Sequence, residues 1–512
     1  MAGRRSIDTQ RATSTPPARA QRSRSTPRGV HAGLFAAALL LILATGLLAH
    51  GVLRRSVPGA GQRVTAPTQL RLEFSEVVEL AGTVVALADA RGAAVPLGPP
   101  VHPGDSGQLV VVPILAPLAP GAYRVTWQIT GRDGHPVRGR YPFEVVAGAG
   151  ARADTNTALG PAGTNMAGAV AGGPPRDQSG ADSLDPRNPE RAPATLRAPA
   201  AQDTVGAAIA TNEFTAESGA YVALRWLSYV MLLAATGAAV MARIAERTAT
   251  IGARYAVRSR LAAIGLGAAW VGVALAFARL IAQSWAIHGA DRALSVTLVG
   301  PLIATSTWGR AWAIQLVAAM VAVAGFTLAL HDTRRTRGWR IAELAVLLAA
   351  AGTALGGHAA AAEGWRAPVL VAANFVHVLA AGVWIGGVMM LAVAVLARAA
   401  APAAANVVRA FSPWALTSAA ALALTGLLAA WTHLEAPLAP WTSHYGRVLL
   451  LKLALVGVIV VLGALNWQQL GPAAGTGSGN AILRRSVWLE VLAALGVLAA
   501  TAVLVAVDPS RP

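Results

Sequence analysis

The sequence predicts two kinds of structure in one chain: an all-β N-terminal domain, built as an immunoglobulin-like Greek-key sandwich or barrel, and an all-α C-terminal membrane bundle of about eight transmembrane helices. Three observations lead there. The composition is 55% hydrophobic and 13% charged, whereas soluble chains average about 45–50% apolar and about 25% charged. Period-two alternation of apolar and polar residues is concentrated in residues 50–147. From Tyr221 to Val507 the chain is a series of apolar runs, each near the ~20 residues a helix needs to cross a bilayer.

Residues 1–49 carry Arg4, Arg5, Arg11, Arg19, Arg22, Arg24 and Arg28, followed by an apolar run from Leu34 to Ala49. A basic stretch before a short apolar one is the pattern of a secretory signal. Cleavage after Ala49 makes His50 the first residue of the mature chain. Leu47 is larger than the residue usual two positions before the last one cut, which keeps an uncleaved signal anchor as the alternative.

In residues 50–147, Leu70, Leu72 and Phe74 alternate with polar residues, as do Tyr123, Val125, Trp127 and Ile129, and Val84, Val85 and Leu87 form another short apolar run. Alternation of this kind predicts strands with one buried face. Turns are marked at Pro58-Gly59, Ala90-Arg91-Gly92, Pro103-Gly104-Asp105 and Pro120-Gly121. About seven short strands separated by turns predict the sandwich. Residues 148–214, rich in Gly, Ala, Pro, Asn, Asp and Thr, predict a disordered tether.

The region 215–512 holds the predicted spans, at 219–242, 258–286, 308–330, 340–360, 367–396, 408–432, 446–468 and 486–507. Backbone groups in lipid must be satisfied within the segment, so these are helices. If the β-domain lies outside, alternate loops are cytoplasmic and hold Arg243, Arg247, Arg254, Arg258 and Arg260, then Arg334, Arg335, Arg337 and Arg340, then Arg398 and Arg409, then Arg484 and Arg485. The opposite loops hold Arg292, Arg310, Arg366 and Arg447. The excess follows the positive-inside rule and puts the β-domain and the C-terminus outside. That distribution also reads the net charge of +18 as membrane orientation and not as nucleic-acid binding.

The chain has no cysteine and 10 histidines, so a metal here is held by imidazole, carboxylate, thioether or backbone groups. With 10 His but only 7 Met, the supply favours imidazole and carboxylate, which suit Cu(II) or Zn(II) better than a soft Cu(I) site. Catalytic signatures are missing: there is no Gly-x-Ser-x-Gly elbow, no HExxH helix and no phosphate-binding GxxxxGK[ST] loop. The chain is read as a non-enzyme.

The chemistry concentrates on Asp133-Gly134-His135, which follows an alternating strand. Residues two apart on a strand share a face, so an extended backbone through His135 presents a carboxylate and an imidazole together. His50, at the start of the mature chain, adds an amine and a ring nitrogen. Nitrogen and oxygen donors in a tetragonal array fit Cu(II). The competing reading is a plain turn capped by Asp133.

Residues 50–147 resemble the CopC family of periplasmic copper-binding proteins. The resemblance rests on His50-Gly51-Val52-Leu53, Ser56-Val57-Pro58 with Gly61, Leu70-Arg71-Leu72-Glu73-Phe74-Ser75-Glu76, Leu115-Ala116-Pro117-Leu118-Ala119-Pro120-Gly121-Ala122-Tyr123, and Asp133-Gly134-His135-Pro136-Val137-Arg138-Gly139. It implies a Cu(II) site at His50, Asp133 and His135. It does not imply the Met-rich Cu(I) site of some members, because this domain has no Met. His102 has no role in the resemblance and reads as a solvated loop residue.

From about Ala220 onward the chain resembles the CopD family, through Thr307-Trp308-Gly309-Arg310-Ala311-Trp312, Gly357-His358-Ala359, the run Asn374 to Gly387 containing His377 and Trp384, Phe411-Ser412, Tyr445-Gly446-Arg447 with Lys452, Asn466, and Arg484-Arg485-Ser486 with Glu490. Asn374 departs from the acidic residue many members carry there. By the topology above, His288, His358, His433 and His444 fall near the outer ends of helices, His377 lies in the outer half of the fifth span, and His331 lies inside. An ionisable residue within the membrane is costly and marks function. His377 and His358 are therefore the leading membrane ligands, with His288, His433 and His444 behind them. Met389 and Met390 read as packing rather than Cu(I) ligands. Trp308, Trp312, Trp365, Trp441 and Trp488 read as interface anchors, and Glu490 as the partner of a basic residue such as Arg485.

The resemblance implies a multi-pass inner-membrane protein in the lipid bilayer. It captures Cu(II) outside and passes it to the bundle, there as Cu(II) or Cu(I), for import or tolerance; a periplasmic copper donor protein is a fitting partner. Two alternatives remain in view: a haem-binding electron-transfer protein or cupric reductase, and a copper sensor or scaffold that transports nothing.

Overall fold

The computed structural model describes residues 52–147, 214–248, 251–332, 336–362, 364–395, 401–433, 444–466, 468 and 477–506. The signal or anchor segment, His50, and the tether up to residue 213 lie outside the described residues.

Eight strands form the β-domain: β1 (Leu53–Val57), β2 (Arg63–Val64), β3 (Gln69–Phe74), β4 (Val78–Asp89), β5 (Ala94–Val95), β6 (Leu109–Pro113), β7 (Gly121–Gly131) and β8 (Pro136–Val145). They make a three-stranded sheet, β1-β3-β6, and a five-stranded sheet, β2-β8-β7-β4-β5. The alternating residues close the space between them: Leu70, Leu72, Phe74, Val110, Val125, Trp127, Ile129 and Phe143 are each at most 2% exposed. Phe74 meets Trp127 edge to face at 5.2 Å, a geometry the ring quadrupole favours. His102 is not a solvated residue. Its ring nitrogens lie 2.9 Å from the Leu109 carbonyl and 3.1 Å from the Val78 carbonyl, so the ring pins the loop before β6 to β4.

The helical region contains α1 (Gly219–Thr248), α2 (Ile251–His288), α3 (Val296–Thr305), α4 (Thr307–His331), α5 (Arg337–Leu355), α6 (Arg366–Ala381), α7 (Ala401–His433), α8 (His444–Leu465) and α9 (Gly477–Leu504). Among the described residues, eight helices are long and apolar enough to cross a membrane, and α3 is a shorter apolar helix. The span begun by α6 continues through π-helical turns at Gly382–Gly386 and Leu391–Val395, with a short α-helical stretch at Gly387–Met390 between them. Close packing explains the small residues there: a β-carbon on Gly237 of α1 would lie 2.1 Å from the Gly386 carbonyl oxygen. Helices in lipid pack by such close approach, since burying apolar surface gains nothing there.

Several side chains differ from their sequence reading. Met390 is 2% exposed in the core, and Met389 packs against it, as gap-fillers do. Trp308 and Trp312 are 4% and 7% exposed, buried where anchors were expected. Trp365 and Trp488 remain exposed. Glu490 accepts a hydrogen bond from the Asn466 amide of the neighbouring helix, where Arg485 was the expected partner.

Candidate metal centre

Strand β7 stops at Gly131, and the chain reverses before β8 starts at Pro136. The Asp133–His135 pair is thus not carried on extended backbone. Gly134 takes φ +82°, a conformation glycine adopts without strain. The amide N–H of Gly134 donates to the Gly131 carbonyl at 2.9 Å, and that of Gly131 donates to the His135 carbonyl at 3.2 Å. Within this closed turn the Asp133 Oδ1 accepts the His135 backbone N–H at 3.0 Å, and Oδ2 lies 3.0 Å from the ring Nδ1. The capped turn and the paired donors, posed as competing readings, are the same structure.

Asp133 is 4% exposed. A β-carbon built on Gly131 would lie 3.0 Å from Asp133 Oδ1 and 3.0 Å from Glu76 Oε1. A second carboxylate therefore converges on the turn. Glu76 went unrecognised as a donor because it lies 57 positions away in sequence, on the segment after β3; its only signal was its place in the Ser75-Glu76 motif. The adjoining Ser75 ties down the start of the described chain: Val52 N–H donates to Ser75 Oγ at 2.9 Å, and Ser75 N–H donates to the Val52 carbonyl at 2.9 Å. Asp133 and His135 thus pair a carboxylate with an imidazole, and the Glu76 carboxylate approaches the same turn at Gly131. Nitrogen and oxygen donors of this kind fit Cu(II).

The turn faces the helical region. A β-carbon on Gly134 would lie 2.5 Å from the Trp308 ring, so the indole rests directly on the glycine. Gln283 of α2 donates its amide to the Gly134 carbonyl. Around that contact the β-domain caps two helix ends. At the C-terminal end of α2, Gln128 Nε2 donates to the Ile287 carbonyl at 2.8 Å, and Arg138 Nη2 donates to the Ala286 carbonyl at 2.8 Å. These carbonyls have no partner within the helix, and that end carries partial negative charge. At the N-terminal end of α4, Glu79 Oε1 accepts the Thr307 N–H at 2.7 Å, placing an anion at the positive end. Burial raises the Glu79 carboxyl above its ordinary value, against the lowering pull of Thr307, Arg310 and Arg132. The register of β4 against β7 shifts between Glu79 and Val84; such irregularities re-aim side chains.

The membrane histidines are not, among the described residues, brought together with this turn as one cluster. Among the described residues no group of three or more His, Cys, Asp or Glu is placed to hold a metal. His288 ends α2, directly after the two capped carbonyls, with its Nε2 buried and without a hydrogen-bond partner. His377 Nδ1 lies 2.8 Å from Thr425 Oγ1 on α7. The Thr425 hydroxyl donates to the Ala421 carbonyl at 2.7 Å, so it accepts from His377, and Nε2 keeps its lone pair. Lys452 of α8 is near enough to the same ring for its ammonium form to act on it. His358 opens a short 3₁₀ turn at His358–Ala361; the preceding Gly357 is approached by Asn374, whose Nδ2 lies 3.4 Å from where a β-carbon would sit. His433 ends α7, and the sites of the His358 and His433 side chains lie outside the described residues. His444 is exposed at the start of α8.

Three family descriptions match the chain: CopC domain over residues 53–146, Copper resistance protein D-like, N-terminal domain over 215–368, and Copper resistance protein D over 405–504. Among curated relatives, Copper transport protein CutJ of Bacillus subtilis is 24% identical over 92% of this chain and 76% of its own length. Copper resistance protein C of Escherichia coli is 35% identical over 21% of this chain and 90% of its own length. Of solved structures, CopC from Methylosinus trichosporium OB3b is 30% identical, covering 19% of this chain and 93% of that one, with a TM-score of 0.18.

Proposed function

Since this chain belongs to the copper-resistance family, as a CopC domain followed by a CopD membrane domain, we propose that it binds Cu(II) at the β-domain and hands it to the membrane bundle. His50, Asp133 and His135 hold the ion, and the Glu76 carboxylate stands near Asp133. His288, His358 and His377 receive it, with His433 and His444 as further acceptors at the same end. Copper is cargo in this reading, and the protein is a carrier and not an enzyme. The β-domain and C-terminus lie on the periplasmic side, where a copper donor protein can load the site.

One observation carries the reading: the turn bearing Asp133 and His135 is seated on the helical region, with Gly134 held by Gln283 and Trp308. A metal held there is at the mouth of the bundle. The orientation has separate support. The β-domain caps α2 at Ala286 and Ile287, whereas the Arg-rich turn from Arg243 to Arg260 joins α1 and α2 at the opposite end, as the positive-inside rule requires.

The test is cellular copper content after gene deletion, at fixed external copper. A fall identifies an importer, and a rise identifies tolerance by export or sequestration outside the cytoplasm. Unchanged copper content would overturn the transport reading and leave a sensor or scaffold. A haem absorption band in the purified protein would move the assignment to electron transfer.

A further inference from the structure

The Gly134–His135 peptide group is gripped at both ends. Its N–H donates to Asp133 Oδ1 at 3.0 Å, from within the turn. Its C=O accepts from Gln283 Nε2, which belongs to α2 of the membrane domain. The peptide group is planar, so fixing the carbonyl fixes the direction of the amide. The amide direction sets the Asp133 carboxylate, whose second oxygen lies 3.0 Å from the His135 ring.

Gln283 is itself held. It is 1% exposed, and its Oε1 accepts the Tyr221 hydroxyl of α1. With Oε1 so engaged, the NH2 group must face Gly134. Tyr221 is 2% exposed, and the Arg225 guanidinium stands 4.9 Å over its ring. A buried chain thus runs from α1 through Tyr221 and Gln283 to the metal-bearing turn, while the Trp308 ring closes the other side of Gly134.

We propose that the membrane domain completes the copper site of the β-domain, with Gln283 as a positioning residue that sets the geometry of Asp133 and His135. This rests on the reading of that turn as the Cu(II) site. Such an arrangement ties the affinity of the captured ion to docking on the bundle: copper is held most tightly where it is to be handed over.

The test uses the full-length protein in detergent or nanodiscs, titrated with Cu(II) and followed by electron paramagnetic resonance. Gln283→Leu leaves the Gly134 carbonyl and the Tyr221 hydroxyl without their buried partner. Cu(II) binding should weaken about tenfold, the size expected when a buried group loses its hydrogen bond, and the copper hyperfine pattern should change. Tyr221→Phe should shift both in the same direction by less. Should Gln283→Leu fail to fold, Trp308→Ala frees the turn without orphaning a donor and should give the same signature. Wild-type affinity and spectrum in these variants, with binding lost in Asp133→Asn and His135→Ala, would overturn this inference alone. Unchanged binding in Asp133→Asn and His135→Ala as well would overturn the copper site itself, and the inference with it.

Discussion

The Asp133 carboxylate holds His135 twice, at the backbone N–H and at the ring, each across 3.0 Å. The two contacts separate under mutation. Asp133→Asn keeps an oxygen for the N–H, so the turn stays closed, but it removes the anionic donor. Thermal stability should change little, while Cu(II) affinity falls by at least about tenfold, as charged donors contribute more than neutral ones. Asp133→Ala loses both contacts and should also lower stability by about 1–3 kcal/mol, since the His135 amide is left without its partner. Isothermal titration and a thermal melt on each variant check this.

Gly134 is required on two counts, its φ of +82° and the Trp308 ring 2.5 Å from any added β-carbon. The backbone conformation alone costs a non-glycine residue roughly 1–2 kcal/mol. Gly134→Ala should therefore loosen the β-domain from the bundle, with the sandwich itself intact. Since the chain has no cysteine, spin labels at Arg91→Cys and Leu294→Cys give a clean interdomain distance. The expected result is a narrow distribution in the parent and a broad one in Gly134→Ala.

Glu79 gives that docking a pH dependence. Burial raises its carboxyl above 4.5, against the lowering pull of the Thr307 hydrogen bonds and of Arg310 and Arg132, so docking takes up a proton. Docking is then most favourable below 4.5, where the carboxyl is protonated docked or free. It weakens as pH rises through the higher docked value, because the buried group must ionise. The same label pair, without metal, should show a broader distribution as pH rises. Glu79→Gln, neutral throughout and still able to accept the Thr307 N–H, should keep it narrow.

Within the bundle, Thr425→Val removes the bond that orients the His377 ring. Such interhelical bonds are worth about 0.6 kcal/mol, so stability should barely move while copper transport in proteoliposomes falls. Lys452 acts in the opposite sense, since its amine, when protonated, sets a positive charge against a cation bound at His377. Lys452→Gln should increase copper retained by the membrane domain, on the order of tenfold in affinity. Metal analysis after dialysis reads this directly.

The alternating residues Leu70, Leu72, Phe74, Val125, Trp127 and Ile129 announced the sandwich, and all are buried in it. The apolar runs announced the eight spans. Both follow from periodicity, which the chain carries locally. The pair Asp133 and His135 was legible for the same reason, being two residues apart, although a turn brings them together and a strand does not. Glu76 was not legible, because nothing local records which strand ends meet. Gln128 and Thr130 lie on the polar side of the β7 alternation, yet each is 1% exposed; Gln128 meets the end of α2 and Thr130 bonds Gly82 of β4, and an alternation pattern cannot say what lies against its polar side. Trp308 likewise read as a membrane anchor, and nothing in its local sequence marked Gln283. The sequence determined which segments bury which faces, since hydrophobic period is a property of neighbours along the chain. Only the tertiary structure decided that the turn carrying Asp133 and His135 sits on two helix ends, because carbonyls and amides at those ends find partners more than a hundred residues away.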